Sequence, residues 1–174
     1  LDFAIRIKVN PKDWVDGKIS DAESNGQLRR IIRYLKAWKN FREDKNNSLR
    51  LPSGFILTIL ACKHFLKDSR DDLSMLETVK AIKNALETSY CCYRPTVPTD
   101  EDLLADYSKE TIIDELTSLI KSAEAAIASE TEEAASEIWR KIFGERFPSG
   151  AKNASATKAA SPVIIKASSP WSSN

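Results

Sequence analysis

The chain has 174 residues, of which 42% are hydrophobic and 29% charged, a balance typical of a globular domain with a real core. The formal net charge is only +1, so there is no overall electrostatic case for a nucleic-acid or membrane-surface protein. No apolar run approaches the roughly 18 residues of a membrane helix. Three cysteines without zinc spacing favour a reduced, cytoplasmic setting. The first residue is Leu1 rather than an initiator methionine, which predicts a piece of a longer protein.

Apolar and polar residues alternate strictly from Leu1 to Val9. Because successive side chains of a strand face opposite sides, this pattern predicts a half-buried strand over 1–9. Asp2 falls on its non-core face. A lone acid in that place is usually solvated.

A basic helix predicted over about 27–41 is the feature around which the chain is organised. Its apolar residues recur at helical spacing and form one face: Leu28, Ile31, Ile32, Leu35 and Trp38. Arg29, Arg33 and Lys36 follow at i, i+4 and i+7 on another face. Such a row of cations is usually a solvated surface.

The second predicted helix, about 53–67, starts at the turn Pro52-Ser53-Gly54-Phe55 and is apolar nearly all round. A helix of that kind requires burial on every side. Helix N-termini and cations both favour anions, phosphate above all, so the start of this helix beside the basic row is a candidate anion site.

Three more helices are predicted over about 71–88, 108–128 and 131–143. The stretch Ser129-Glu130-Thr131-Glu132 is typical of a capping box at the start of the last one. The acids of the irregular segment before the fourth helix are expected to solvate a loop and cap that helix: Asp100, Glu101, Asp102 and Asp106.

From residue 149 onward the composition shifts to Ser, Ala, Lys and Pro, which predicts a disordered tail over 149–174. Within it, one β-prone segment has no core to enter: Pro162, Val163, Ile164, Ile165 and Lys166. Such a segment is typical of a peptide that adds as a strand to a partner's sheet edge. The alternative is an apolar patch without a role.

The sequence resembles the helical lobe of the bacterial cGAS/DncV-like nucleotidyltransferases in four stretches that occur in the same order. These stretches are Arg33–Lys39, Pro52–Phe55, Arg94–Leu103 and Trp139–Pro148. The resemblance covers roughly 1–148. It implies an α+β, mostly α fold, namely the C-terminal helical lobe of a polymerase-β-like nucleotidyltransferase with one or two strands of its sheet. It also implies an enzyme that joins NTPs into cyclic di- or oligonucleotide signals in anti-phage defence.

The same resemblance assigns roles to individual residues. Lys36 matches a lysine that contacts the NTP triphosphate, and Ser53 a serine that contacts the nucleotide phosphates; Arg33 and Arg29 are weaker candidates. Asp2 occupies the place of the third carboxylate ligand of two Mg²⁺ (or Mn²⁺) ions. The other two acids, a pair after a Gly-Ser turn, are absent, so this segment alone is not expected to catalyse. Gly54 stands where the family often has a base-stacking tyrosine.

The expected partners are NTP substrates and a HORMA-type or ubiquitin-transfer-like regulator that binds the segment Pro162–Lys166. Two alternatives without catalysis remain, a stand-alone helical interaction module and a nucleic-acid-binding helical domain. Paired acids upstream of Leu1 would favour the enzyme, and duplex DNA affinity that falls steeply with salt would favour the nucleic-acid-binding domain.

His64 and the pair Cys91-Cys92 are the remaining residues with reactive side chains that merit attention. A single histidine on an apolar helix is more often a core or boundary residue than a catalytic base. The two cysteines lack a second pair and a partner histidine, which argues against a metal site.

Overall fold

The computed structural model describes residues 26–96 and 100–150, and within these ranges the chain is mostly helical, as predicted. Five helices follow one another there: α1 (Gln27–Lys45), α2 (Gly54–His64), α3 (Asp71–Thr88), α4 (Lys109–Ile127) and α5 (Glu132–Phe143). The strand predicted over 1–9 and the tail beyond residue 150 lie outside the described residues. None of the five helices is long and apolar enough to cross a membrane.

Helix α1 is the centre of the bundle, because it packs against α2, α3 and α5. Its predicted apolar face is buried, with Leu28, Ile31 and Leu35 at 0% exposure. The helix runs to Lys45, about four residues beyond its predicted end. Two ion pairs account for the extension. Lys39 Nζ lies 2.5 Å from Glu43 Oε2 one turn later, and Arg42 Nη2 lies 2.7 Å from Glu115 Oε1 on α4.

Helix α2 is buried all round at its middle, as its sequence requires, with every residue from Ile56 to Ala61 at most 5% exposed. It packs against α1 and α3. It ends at His64, three residues before the predicted end. Beyond it, the backbone N–H of Leu66 donates to Thr78 Oγ1 at 3.1 Å and the Leu66 carbonyl accepts from Ser74 Oγ at 2.7 Å. Side chains of α3 therefore supply the bonds that another helical turn would have made.

The start of α5 differs from its prediction in the residue that caps it. Thr131 is the N-cap, since its Oγ1 accepts from the backbone N–H of Ala134 at 3.2 Å. Ser129, the predicted first residue of a capping box, instead donates its hydroxyl to the carbonyl of Ala125 at 2.9 Å, inside the last turn of α4. The four-residue motif is thus shared between the end of one helix and the start of the next.

In the segment between α3 and α4, Asp102 holds the backbone, whereas the other three acids are exposed as expected: Asp100, Glu101 and Asp106. Asp102 Oδ1 accepts from the backbone N–H groups of Cys92, at 2.8 Å, and Leu104, at 3.0 Å. Tyr93 and Asp102 form an antiparallel bridge. The cap of α4 is Ser108, whose Oγ accepts from the backbone N–H of Thr111 at 3.2 Å. The expectation that the acids cap this helix is therefore wrong.

The N-terminal ends of α1 and α3 are joined by a network around Asp71. Arg30 Nε donates to Asp71 Oδ2 at 2.6 Å and Arg30 Nη2 to Oδ1 at 2.9 Å, while Gln27 and Tyr34 add hydrogen bonds at 3.0 and 3.2 Å. The Arg30 guanidinium is the largest cause that lowers the pKa of the Asp71 carboxyl, to about 2. The charged form of this acid therefore stabilises the fold.

We expect Asp71→Asn to lower the free energy of unfolding by about 1–2 kcal/mol at pH 6, allowing for the partial exposure of the pair. The folded pKa of Asp71, about 2, lies below its unfolded value near 3.8. Its contribution is therefore present above the unfolded pKa and is lost as the pH falls toward the folded one. Urea unfolding of wild type and variant at pH 6 and pH 3 measures this difference. If the difference in unfolding free energy between wild type and Asp71→Asn is no smaller at pH 3 than at pH 6, the charged form of Asp71 does not stabilise the fold.

Candidate phosphate-binding site

The side chain of Lys36 lies across the first residue of α2. A Cβ built on Gly54 would stand 3.3 Å from Lys36 Cε and 3.6 Å from its Cδ and Cγ atoms. Lys36 is half-buried, whereas Arg29 and Arg33 of the same row are exposed. The missing side chain of Gly54 thus lets the lysine stem pass close over the helix start. The structure thus brings Lys36 to the turn at the start of α2, with its ammonium group near the N-terminus of that helix.

Ser53 is the N-cap of α2, because its Oγ accepts from the backbone N–H of Ile56 at 3.3 Å. Accepting that bond leaves the hydroxyl proton available to donate to a ligand. The first N–H groups of a helix have no intrahelical carbonyl partner, and they carry the positive end of the helix dipole. The first turn of α2 contains no acidic residue to neutralise that end.

Some cations of α1 form ion pairs with carboxylates, and others do not. Lys39 pairs with Glu43, and Arg42 pairs with Glu115. No carboxylate within the described ranges pairs with Lys36 or with Arg33. Arg33 is exposed, and its role in phosphate binding stays a prediction. Lys36 combines an unpaired charge with a fixed position beside Ser53.

Two predicted sites cannot be placed by the structure. Asp2 and the segment Pro162–Lys166 lie outside the described residues. Within residues 26–96 and 100–150, no group of three or more His, Cys, Asp or Glu side chains could hold a metal ion. The described helices therefore do not themselves fit a Mg²⁺ site, and the metal-ligand role of Asp2 stays a prediction.

His64 and the cysteine pair are not among the residues that form the Lys36–Ser53 turn. His64 is the last residue of α2, half-buried, and burial followed by the neighbouring Lys63 charge lowers the pKa of its imidazole. Cys92 is 1% exposed, and burial raises the pKa of its thiol to about 11. A protonated, enclosed thiol is a poor nucleophile, so this cysteine has the properties of a core residue.

The structure also has a groove that the sequence did not predict, along the face of α1 that contains Tyr34, Ala37 and Phe41. It is an open groove of about 1290 Å³ bordered by α1, the start of α3 and the end of α5. Its aromatic side is a chain of ring contacts: Tyr34 to Phe143 at 6.2 Å, Phe143 to Trp139 at 5.8 Å and Phe143 to Phe147 at 5.9 Å between centroids. Tyr34 lies on α1, whereas the other three rings lie on α5 or just after it. Helical periodicity within each segment cannot show that α1 and α5 bring these rings together.

No protein-family model matches the chain. It is 24% identical over 118 residues to a cyclic GMP-AMP synthase of Escherichia albertii, covering 64% of this chain and 26% of that protein. It is 27% identical over 153 residues to a cyclic AMP-AMP-AMP synthase of an Acinetobacter species, covering 78% of this chain and 41% of that protein. The chain thus spans about a quarter and about two fifths of the lengths of these curated relatives.

Two solved structures have a similar fold. The DncV cyclic AMP-GMP synthase of Vibrio cholerae, in complex with a linear intermediate, matches with a TM-score of 0.67 and 18% identity, over 82% of this chain and 39% of that one. The CdnC:HORMA-deltaN complex of Escherichia coli matches with a TM-score of 0.63 and 17% identity, over 78% of this chain and 50% of that one.

The described helices therefore have the fold of the corresponding part of these two proteins. Together with the sequence matches, this confirms the resemblance drawn from the four motifs. The chain is similar to the bacterial cGAS/DncV-like nucleotidyltransferases, over the part of those proteins that it spans.

Proposed function

We propose that this chain is the NTP-phosphate-binding helical lobe of a nucleotidyltransferase that joins NTPs into a cyclic di- or oligonucleotide second messenger in anti-phage defence. The observation that carries the proposal is the placement of the Lys36 side chain against Gly54, beside the Ser53 cap, in a chain related to cyclic nucleotide synthases.

The geometry suits a polyphosphate in three ways. Lys36 presents a compact positive charge that no described carboxylate neutralises. Ser53 can donate a hydrogen bond, and the start of α2 adds unpaired N–H groups and the positive end of a dipole. Gly54 offers no ring for a base to stack on at that position, so in this proposal the turn binds phosphates and base selection arises elsewhere.

The metal centre belongs to the same proposal. Bound Mg²⁺ or Mn²⁺ neutralises phosphate charge and activates the attacking hydroxyl. We assign Asp2 as one ligand, with the paired acids supplied by a part of the protein outside this segment. Product formation by an Asp2→Asn variant at the wild-type rate would remove Asp2 from that role.

The direct test incubates the full-length protein with Mg²⁺ and all four NTPs, with and without a HORMA-type regulator, and identifies the products by mass spectrometry. We expect a cyclic di- or oligonucleotide. Complete absence of nucleotide products under both conditions, from protein that is folded by circular dichroism, would contradict the proposed activity.

A HORMA-type or ubiquitin-transfer-like regulator is the proposed protein partner, with the segment Pro162–Lys166 as its docking peptide. The structural relative that is in complex with a HORMA protein supports a partner of this class. We expect deletion of residues 162–174 to remove binding to, or modification by, the regulator, and to leave the thermal unfolding midpoint and intrinsic synthesis unchanged. Full partner binding by the truncated protein in a pull-down would show that the tail is not the docking peptide.

A further inference from the structure

We propose that Arg94 is a second cationic contact for the NTP phosphates, placed beside Lys36 at the start of α2. This inference rests on the function proposed above and names a residue to which neither the motifs nor the comparisons assign a role. The residue comes from the segment between α3 and α4, far from Lys36 in the chain.

The position of Arg94 is defined by its contact with Phe55. The guanidinium carbon of Arg94 lies 5.8 Å from the centroid of the Phe55 ring, within the range of a cation–π contact. Phe55 directly follows Gly54, over which the Lys36 stem passes. Helical side chains lean toward the N-terminus of their helix, so the Phe55 ring and the guanidinium above it are directed to the same end of α2 as Lys36.

Arg94 is held there by a short, braced piece of backbone. Its backbone N–H donates to the Glu101 carbonyl at 3.0 Å, and the Leu103 N–H donates to the Cys92 carbonyl at 2.9 Å. The Asp102 carboxylate bonds to two further N–H groups of the same segment. The backbone that carries Arg94 is therefore fixed by hydrogen bonds. Less conformational entropy is lost when such a pre-positioned side chain binds a ligand.

The remaining hydrogen-bonding capacity of Arg94 points to an anion. Glu101 pairs with Nε of the guanidinium, and no described residue accepts from its Nη1 or Nη2 groups. A guanidinium with free terminal N–H groups is suited to bidentate binding of a phosphate. Because a triphosphate carries three charged groups in a row, Lys36 and Arg94 can each contact a different phosphate of one nucleotide.

A purely structural role is the competing explanation. In that case the Arg94–Glu101 pair would only hold together the two sides of the segment between α3 and α4, and removing either partner would have the same effect. The two explanations differ for Glu101→Gln. Loss of the carboxylate breaks the pair, but it leaves the positive charge and the Phe55 contact in place.

The test compares Arg94→Ala, Arg94→Lys and Glu101→Gln in the full-length protein, with kcat and KM measured for each NTP and the thermal unfolding midpoint recorded. Arg50→Ala is the matched control, because Arg50 also lies over a ring, 4.9 Å from the centroid of Tyr107. We expect Arg94→Ala to raise KM by about tenfold, as for loss of one charged hydrogen bond. Arg94→Lys should recover part of this loss, and Glu101→Gln and Arg50→Ala should leave KM within about twofold of wild type.

An unchanged KM in Arg94→Ala, or equal losses in Arg94→Ala and Glu101→Gln, would overturn the assignment of Arg94. These results differ from a failure of the proposed function, in which wild type makes no nucleotide product or Lys36→Ala has no effect. If Lys36→Ala is impaired while Arg94→Ala is not, the phosphate site stands and Arg94 is excluded from it.

Discussion

Replacing Lys36 with alanine in the full-length protein is expected to lower kcat/KM for NTPs by roughly ten- to a hundredfold. The reason is the loss of one charged hydrogen bond to phosphate, with a net contribution of about 1.5–3 kcal/mol. The fold should persist, because Lys36 is only half-buried and forms no ion pair within the described residues. Initial rates over a range of NTP concentrations measure the effect, and circular dichroism verifies folding.

Lys121→Ala is the control for this experiment. It removes the same charge from an exposed position on α4, away from the α2 turn, and it should leave kcat/KM near wild type. A well-folded Lys36→Ala variant with undiminished synthesis would remove Lys36 from the phosphate site. Equal losses in the two variants would instead indicate that overall charge, and not the position of Lys36, is responsible.

Substituting Gly144 with alanine is expected to lower the free energy of unfolding by about 2–4 kcal/mol. Gly144 ends α5 with φ 84° and ψ −177°, a backbone conformation that is essentially restricted to glycine. A Cβ at this position would also lie 2.9 Å from Cδ2 and Cε2 of the Phe41 ring on α1. Backbone strain and steric overlap therefore add. Urea unfolding followed by circular dichroism measures the loss.

Two further variants separate the causes. Gly26 also has a positive φ, 73°, but a Cβ there would come no closer than 3.7 Å, to Arg30 Nη1. Gly26→Ala should therefore cost only about 1 kcal/mol, the strain alone. Gly144→Ala should lower the free energy of unfolding less in a Phe41→Leu background than in wild type. The smaller leucine side chain removes part of the steric overlap. Equal costs in both backgrounds would show that steric overlap with Phe41 contributes nothing.

The sequence by itself determined which faces are buried and where most helices lie. The spacing of Leu28, Ile31 and Leu35 predicted the buried face of α1, and the all-round apolar run predicted that α2 is enclosed. These predictions succeed because burial of a helical stripe depends on residues three and four apart, which a local pattern contains. The motif resemblance added the family, which the comparisons support, and it predicts Lys36 and Ser53 as contacts for the nucleotide phosphates.

Only the tertiary structure decided how the helix ends and the side chains combine. Helix α1 continues to Lys45 because Arg42 forms an ion pair with Glu115 on α4. Helix α2 ends at His64 because Thr78 and Ser74 of α3 form hydrogen bonds with the backbone of Leu66. The close passage of the Lys36 stem over Gly54 and the placement of Arg94 over Phe55 likewise join segments distant in the chain. Such contacts depend on how whole helices pack, and packing geometry is not encoded in the three- and four-residue spacings that a single sequence displays.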